Sequence, residues 1–161
     1  MNGLRPTPDR VRETLFNWLA PGLPGARCLD LFAGTGALGL EALSRGAAHV
    51  VFVEQNPLAA DTIKSTCNDL KARHAEVVRS DVLAFLATSP AGFDLVLIDA
   101  PYDSALHDRV CRELDAGGWL APGARVYVET ARDRALVAPA TWRPLREDRI
   151  GQVHSRLYEV P

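Results

Sequence analysis

Asp30-Leu-Phe-Ala-Gly34-Thr-Gly36-Ala-Leu-Gly39 is the stretch whose reading decides the fold of this 161-residue chain. It holds a G-x-G-x-x-G pattern between two different periodicities. Before it, residues 27–32 (Arg-Cys-Leu-Asp-Leu-Phe) have the apolar run of a short buried parallel strand. After it, a helix is predicted from Ala37 to about Arg45, closed by Gly46. Glycine at the turn permits positive φ and lets a ligand approach the backbone closely. A strand, a glycine turn and a helix in that order open a βαβ unit.

The unit recurs downstream. Strand 49–53 leads to a helix opening at Pro57, with Asn56 as its cap. Strand 76–79 leads to a short helix, 82–88, capped by Asp81. Strand 94–98 precedes a helix over about 104–115, and Gly117-Gly118 ends that helix. Strand 125–129 follows Pro122-Gly123, and segments 142–149 and 153–159 form a hairpin turning near Gly151. Upstream, an irregular arm of residues 1–7 precedes a helix with Val11, Leu15, Trp18 and Leu19 at helical spacing. Thr7 or Asp9 is placed to cap that helix, and Pro21-Gly22 stops it. Alternating strands and helices imply an α/β fold, a mostly parallel sheet that closes with a C-terminal antiparallel pair.

The chain has the length of one domain over residues 1–161, with an arm and helix in 1–20 and a core in 27–161. No apolar run reaches membrane-spanning length and no signal-peptide layout opens the chain, so a cytoplasmic protein away from membranes is expected. Cys28, Cys67 and Cys111 are isolated, which argues for core positions rather than disulfides or thiolate zinc. The histidines have no ligand spacing either, so no metal site is expected. A net charge of −2 argues against a domain that coats itself with polyanion, although a local basic patch remains open. Arg5, Arg10 and Arg12 near the start and Arg143, Arg146, Arg149 and Arg156 near the end read plainly as solvated surface, and would supply a basic patch only if they shared a face.

Carboxylates narrow the chemistry. Glu54 ends the strand that follows the loop, 20 residues after Gly34, where it can accept from both hydroxyls of a ribose. Spacing alone fits a dinucleotide fingerprint as well. Asp30 separates the two, because a carboxylate there would repel a pyrophosphate but can hold an ammonium group. S-adenosyl-L-methionine carries that ammonium and no phosphate. Asp81, besides capping a helix, is placed to accept from an adenine amino group.

Asp99-Ala100-Pro101-Tyr102 sits at the carboxyl end of the fourth predicted strand, in the same crevice. Methyl transfer to an aromatic amine needs the nitrogen lone pair aimed at the methyl carbon. A carboxylate and a backbone carbonyl can accept the two N–H bonds and set that aim, while the Tyr102 ring offers a stacking face for a base.

With these segments in view, the chain resembles class I methyltransferases. Asp99 to Tyr102 is similar to the [N/D]-P-P-[Y/F] motif of enzymes that methylate exocyclic amines. More narrowly, Leu4-Arg-Pro-Thr7, Asp9-Arg-Val-Arg-Glu-Thr-Leu-Phe-Asn17, Gly36-Ala-Leu-Gly-Leu-Glu-Ala-Leu-Ser-Arg45, Gly118-Trp-Leu120, Tyr127-Val-Glu129 and Gly151-Gln152 resemble the RsmD family of bacterial 16S rRNA guanine-N2 methyltransferases. The resemblance implies a Rossmann-like, seven-stranded fold and 16S rRNA in small-subunit ribosomal particles as substrate; a monomer is expected. It implies cofactor contacts at Asp30, Phe32, Gly34, Gly36, Glu54, Gln55, Asp81, Val82 and Asp99. Catalytic positions fall at Asp99, Ala100, Pro101 and Tyr102, and RNA contacts at Arg5, Thr7, Arg10 and Tyr102. Two departures stand out. Ala100 replaces the usual proline and restores an N–H, and the chain begins almost at Leu4, before which the family usually carries a basic, glycine-containing segment, so affinity for RNA is the property this puts in question. The competing readings are a dinucleotide-binding oxidoreductase module and a non-catalytic RNA-binding assembly factor that retains the fold.

Overall fold

The computed structural model describes residues 9–101 and 105–161. Helix α1 (Asp9–Leu19) ends in a 3-10 turn at Ala20–Gly22. Then follow β1 (Arg27–Leu31), α2 (Ala37–Ser44), β2 (His49–Glu54), α3 (Pro57–Asp69), β3 (Ala75–Arg79) and α4 (Val82–Leu86). The second half comprises β4 (Phe93–Ile98), α5 (Leu106–Ala116), β5 (Leu120–Ala131), β6 (Arg143–Ile150) and β7 (Val153–Glu159). The seven strands form one sheet in the order β3-β2-β1-β4-β5-β7-β6. β1 to β5 pair in parallel, and β7 pairs antiparallel with both β5 and β6.

Strand alternation sorts side chains into two apolar layers, one on each face. Leu29, Leu31, Val96, Ile98, Val126 and Val128 face one layer, where α4 and α5 contribute Val82, Leu86, Val110 and Leu114. Cys28, Val50, Phe52, Leu95, Leu97 and Tyr127 face the other, covered by Leu15, Phe16 and Leu19 of α1, Leu38 of α2 and Ile63 of α3. Each large apolar side chain fully buried in such a layer contributes ~1.5–3 kcal/mol relative to exposure. The three cysteines are buried and unbridged, as expected of core positions.

Caps fix the element starts. Asn56 Oδ1 accepts from the backbone N–H groups of Leu58 (3.0 Å) and Ala59 (3.1 Å), with Pro57 in the first turn. Asp81 Oδ2 accepts from Ala84 N at 3.0 Å. Gly151 turns the β6–β7 hairpin at φ +56°. Two of the boundaries that differ from the sequence reading have a visible local cause. β5 opens at Leu120, because Phe93 pairs with Leu120 and a register shift then absorbs Pro122-Gly123 before Leu95 pairs with Arg125. α4 stops at Leu86, where the N–H groups of Ala87 and Thr88 bond three residues back and tighten the last turn.

Candidate active site

β1 lies between β2 and β4, so chain order reverses across the β1–β4 gap. Ligands of open α/β sheets bind outside the carboxyl ends of strands at such a switch point. The glycine loop leaves β1 there. Phe32 adopts a left-handed φ of 57°, and Gly34 and Gly36 follow at φ 59° and 80°. A Cβ on Gly36 would stand 3.1 Å from Ile63 of α3, so the loop passes close over that helix.

Glu54, buried at the end of β2, holds the loop down. Its Oε1 accepts from Gly34 N at 2.7 Å and its Oε2 from Asn56 N at 2.8 Å. One carboxylate thus ties the β1–α2 loop to the start of α3. Each oxygen keeps a further lone pair, so acceptor capacity toward the crevice remains. Gln55 is exposed beside it, between β2 and α3.

Asp30 is 2 % exposed, and its Oδ2 accepts from Gly39 N at 3.0 Å. A Cβ on Gly39 would meet Phe52 at 2.5 Å and the same Oδ2 at 2.9 Å, so glycine is required for α2 to dock. Burial pushes the Asp30 carboxyl well above the usual carboxylate range, against the Gly39 bond, with Asp99 and Glu54 adding negative charge nearby. Asp81 caps α4 at the carboxyl end of β3, with Val82 buried behind it.

Asp99 and Pro101 follow β4 with Ala100 buried between them. Tyr102 lies outside the described residues, as do Arg5 and Thr7. Arg10 is exposed in the first turn of α1. The structure therefore brings Asp30, Gly34, Gly36, Glu54, Asp81 and Asp99 to one edge of the sheet.

Among the described residues, several of the terminal arginines are paired or buried. Arg12 pairs with Asp9 at 3.0 Å, Arg143 with Glu159, and Arg149 with Glu147 at 3.7 Å. Arg156 is 8 % exposed and donates to Thr130 Oγ1 (2.9 Å) and the Arg134 carbonyl (2.8 Å), so it anchors the segment after β5. The bland expectation of a solvated surface arginine fails at that position. Among the described residues no His, Cys, Asp or Glu group has metal-holding geometry, and no helix is long and apolar enough to cross a membrane.

One site residue was read in the sequence only as part of a motif. Glu129, 6 % exposed on β5, is hydrogen-bonded to the Asp99 carboxyl. Leu97 stands opposite Tyr127, and two residues further along each strand come Asp99 and Glu129. Tyr127 Oη donates to Glu129 Oε1 at 2.7 Å and lies 3.0 Å from Ser155 Oγ of β7. Burial first, then Asp99, pushes Glu129 up to about 9. The available signal was an acidic residue inside the apolar run Val126-Tyr-Val-Glu129, at the carboxyl end of the strand beside β4.

Sheet order, switch-point loop and carboxyl-edge acids together define the fold of a class I methyltransferase. The family model described as conserved hypothetical protein 95 matches residues 1–159. Ribosomal RNA small subunit methyltransferase D of Escherichia coli strain K12 is 46 % identical over 158 residues, covering 98 % of this chain and 80 % of that protein. Its namesake from Haemophilus influenzae is 44 % identical over 161 residues, covering 98 % and 83 %. The solved structure of the Escherichia coli protein yhhF superposes with a TM-score of 0.92 at 43 % identity, over 97 % of this chain and 88 % of that one. The chain belongs to the family of ribosomal RNA small subunit methyltransferase D.

Proposed function

We propose that this chain transfers a methyl group from S-adenosyl-L-methionine to the exocyclic N2 of a guanine in 16S rRNA of the small subunit. The observation that carries the reading is Asp99 at the carboxyl end of β4, across the switch point from the Gly34–Gly36 loop. The donor set suits the cofactor: the loop is lined by carboxyls, which oppose a pyrophosphate and favour a cation. When bound, the cofactor supplies an electrophilic methyl carbon on a positively charged sulfur.

The chain's own residues do the rest. Glu54 accepts from ribose hydroxyls with the lone pairs its backbone partners leave open. Asp30, raised by burial, becomes a carboxylate once an ammonium sits opposite it. Gly34 and Gly36 admit the ligand against the backbone, Phe32, Gln55 and Val82 border it, and Asp81 takes the adenine amino group. Asp99 and the Ala100–Pro101 backbone accept the two N–H bonds of the guanine amine, leaving its lone pair directed at the methyl carbon. No strong base is needed, because the amine becomes acidic only as the new bond forms, and the Asp99 charge then stabilises the developing cation. Tyr102 stacks on the base, while Arg5, Thr7 and Arg10 contact the RNA. The whole chain, residues 1–161, works as one domain, a cytoplasmic monomer acting on small-subunit particles.

Mass spectrometry of rRNA nucleosides from cells with and without the gene tests the reading. Loss of an N2-methylguanosine from 16S rRNA is expected. Unchanged 16S nucleosides would overturn it.

A further inference from the structure

We propose that Glu129 is a positioning residue for methyl transfer, held by Tyr127 and Ser155 so that its carboxyl donates the hydrogen bond that fixes Asp99 toward the acceptor amine. The proposal rests on the role given to Asp99 above. It begins from register: β4 and β5 pair in parallel with Leu97 opposite Tyr127 and Ile98 opposite Val128. One more step brings Asp99 and Glu129 side by side, and their side chains are hydrogen-bonded. On the far side, β7 pairs Ser155 with Glu129. A chain of polar side chains thus runs from β7 through β5 to the residue after β4.

Donor and acceptor capacity decide where the protons lie. Two ionised carboxylates in contact repel, so the pair holds a proton between them. Glu129 is buried whereas Asp99 is half-buried, and the proton belongs on the group that burial penalises more when charged. Ser155 then donates to Tyr127, Tyr127 donates to Glu129 Oε1, and the other Glu129 oxygen donates its proton to Asp99. In that arrangement every hydroxyl has an acceptor. Asp99 keeps its negative charge and one oxygen for the amine, and cannot rotate without breaking the bond. The groups facing Glu129 are Asp99 from the β4 end, Tyr127 on its own strand and Ser155 from β7. Asp30 lies within electrostatic reach of Asp99 and of Glu54.

Single-turnover methyl transfer to small-subunit particles at saturating cofactor, with Glu129→Leu and Glu129→Gln, provides the test. Glu129→Leu should slow transfer about tenfold or more, the scale of a lost hydrogen bond to a charged group. Its affinity for S-adenosylhomocysteine should stay within about twofold, since Glu129 does not touch the cofactor loop. Glu129→Gln should restore most of the loss, because its amide donates to Asp99 while its carbonyl accepts from Tyr127. The wild-type rate should fall above about pH 9 as Glu129 ionises, and Glu129→Gln should lack that fall. Wild-type turnover in Glu129→Leu would overturn the proposal. So would a Glu129→Gln variant as slow as Glu129→Leu, or one that keeps the alkaline fall. If the wild type transfers no methyl at all, the functional reading fails, and infrared spectroscopy still judges the hydrogen bond. A protonated-carboxyl band at neutral pH that Glu129→Gln removes upholds the bond, and identical spectra refute it.

Discussion

On the β1–β2 side of the crevice, carboxyl groups are held by the backbone. Gly39 N–H binds Asp30, and the N–H groups of Gly34 and Asn56 bind Glu54. On the β4–β5 side they are held by side chains, with Glu129 against Asp99 and Tyr127 against Glu129. Backbone donors cannot turn away, so under the proposed function the first half is a preformed cradle for a ligand that stays the same at every turnover. Side-chain donors from two further strands can hold a carboxylate while leaving one of its oxygens to the incoming substrate. The difference fits a division of labour between binding a cofactor and aiming an acceptor.

The largest effect expected from breaking this contrast is at Asp99. Asp99→Ala should reduce methyl transfer by at least ~10²-fold, the cost of removing one partner that acts in the transition state. Affinity for S-adenosylhomocysteine should change far less, because the cradle is built on the other side. Asp99→Asn should lose less, since its amide oxygen still accepts from the amine. Single-turnover rates beside calorimetric titration of each variant check this, and normal turnover in Asp99→Ala would remove the acceptor role.

Glu54→Ala should show the opposite pattern. Cofactor affinity should fall about tenfold or more, in line with ~1.5–3 kcal/mol for a hydrogen bond to a charged group. The same variant releases Gly34 N and Asn56 N, so the melting temperature should also drop, unlike in Asp99→Asn. Calorimetry showing unchanged cofactor affinity would mean that Glu54 serves only to join the two loops.

What was legible in the sequence follows the same divide. The cradle is local: Gly34 to Glu54 spans 20 residues and one βαβ unit, so spacing alone locates it. The caps at Asn56 and Asp81 were legible because each acts on the first turn that follows it. Glu129 was not. Its partners Asp99 and Ser155 lie 30 and 26 residues away, and only strand order and register bring them together. Arg156 misled for the same reason, since a charged residue near a chain end is usually solvated, yet Thr130 and Arg134 enclose this one. The true start of β5 was hidden by Pro122-Gly123, which locally reads as a break.

The smallest expected effect concerns stability and isolates the acceptor half without any substrate. Burial and the neighbouring Asp99 push folded Glu129 up to about 9, above the value of about 4.3 for an unfolded glutamate. Between those values the unfolded chain gives up the proton while the folded chain keeps it. Wild-type stability should therefore be fullest at acid pH and decline, as far as this group is concerned, as pH rises toward 9. Glu129→Gln has no such proton and escapes the decline. Asp30 is raised by burial in the same sense, but it is present in both chains and cancels in the difference. The melting temperature of Glu129→Gln relative to wild type should thus increase from pH 5 to pH 8, by at least about 5 degrees for a chain of this size. A difference that stays constant across that range would place Glu129 as a carboxylate in the folded protein. Asp99 would then be repelled rather than held, and the contrast between the two halves of the crevice would collapse.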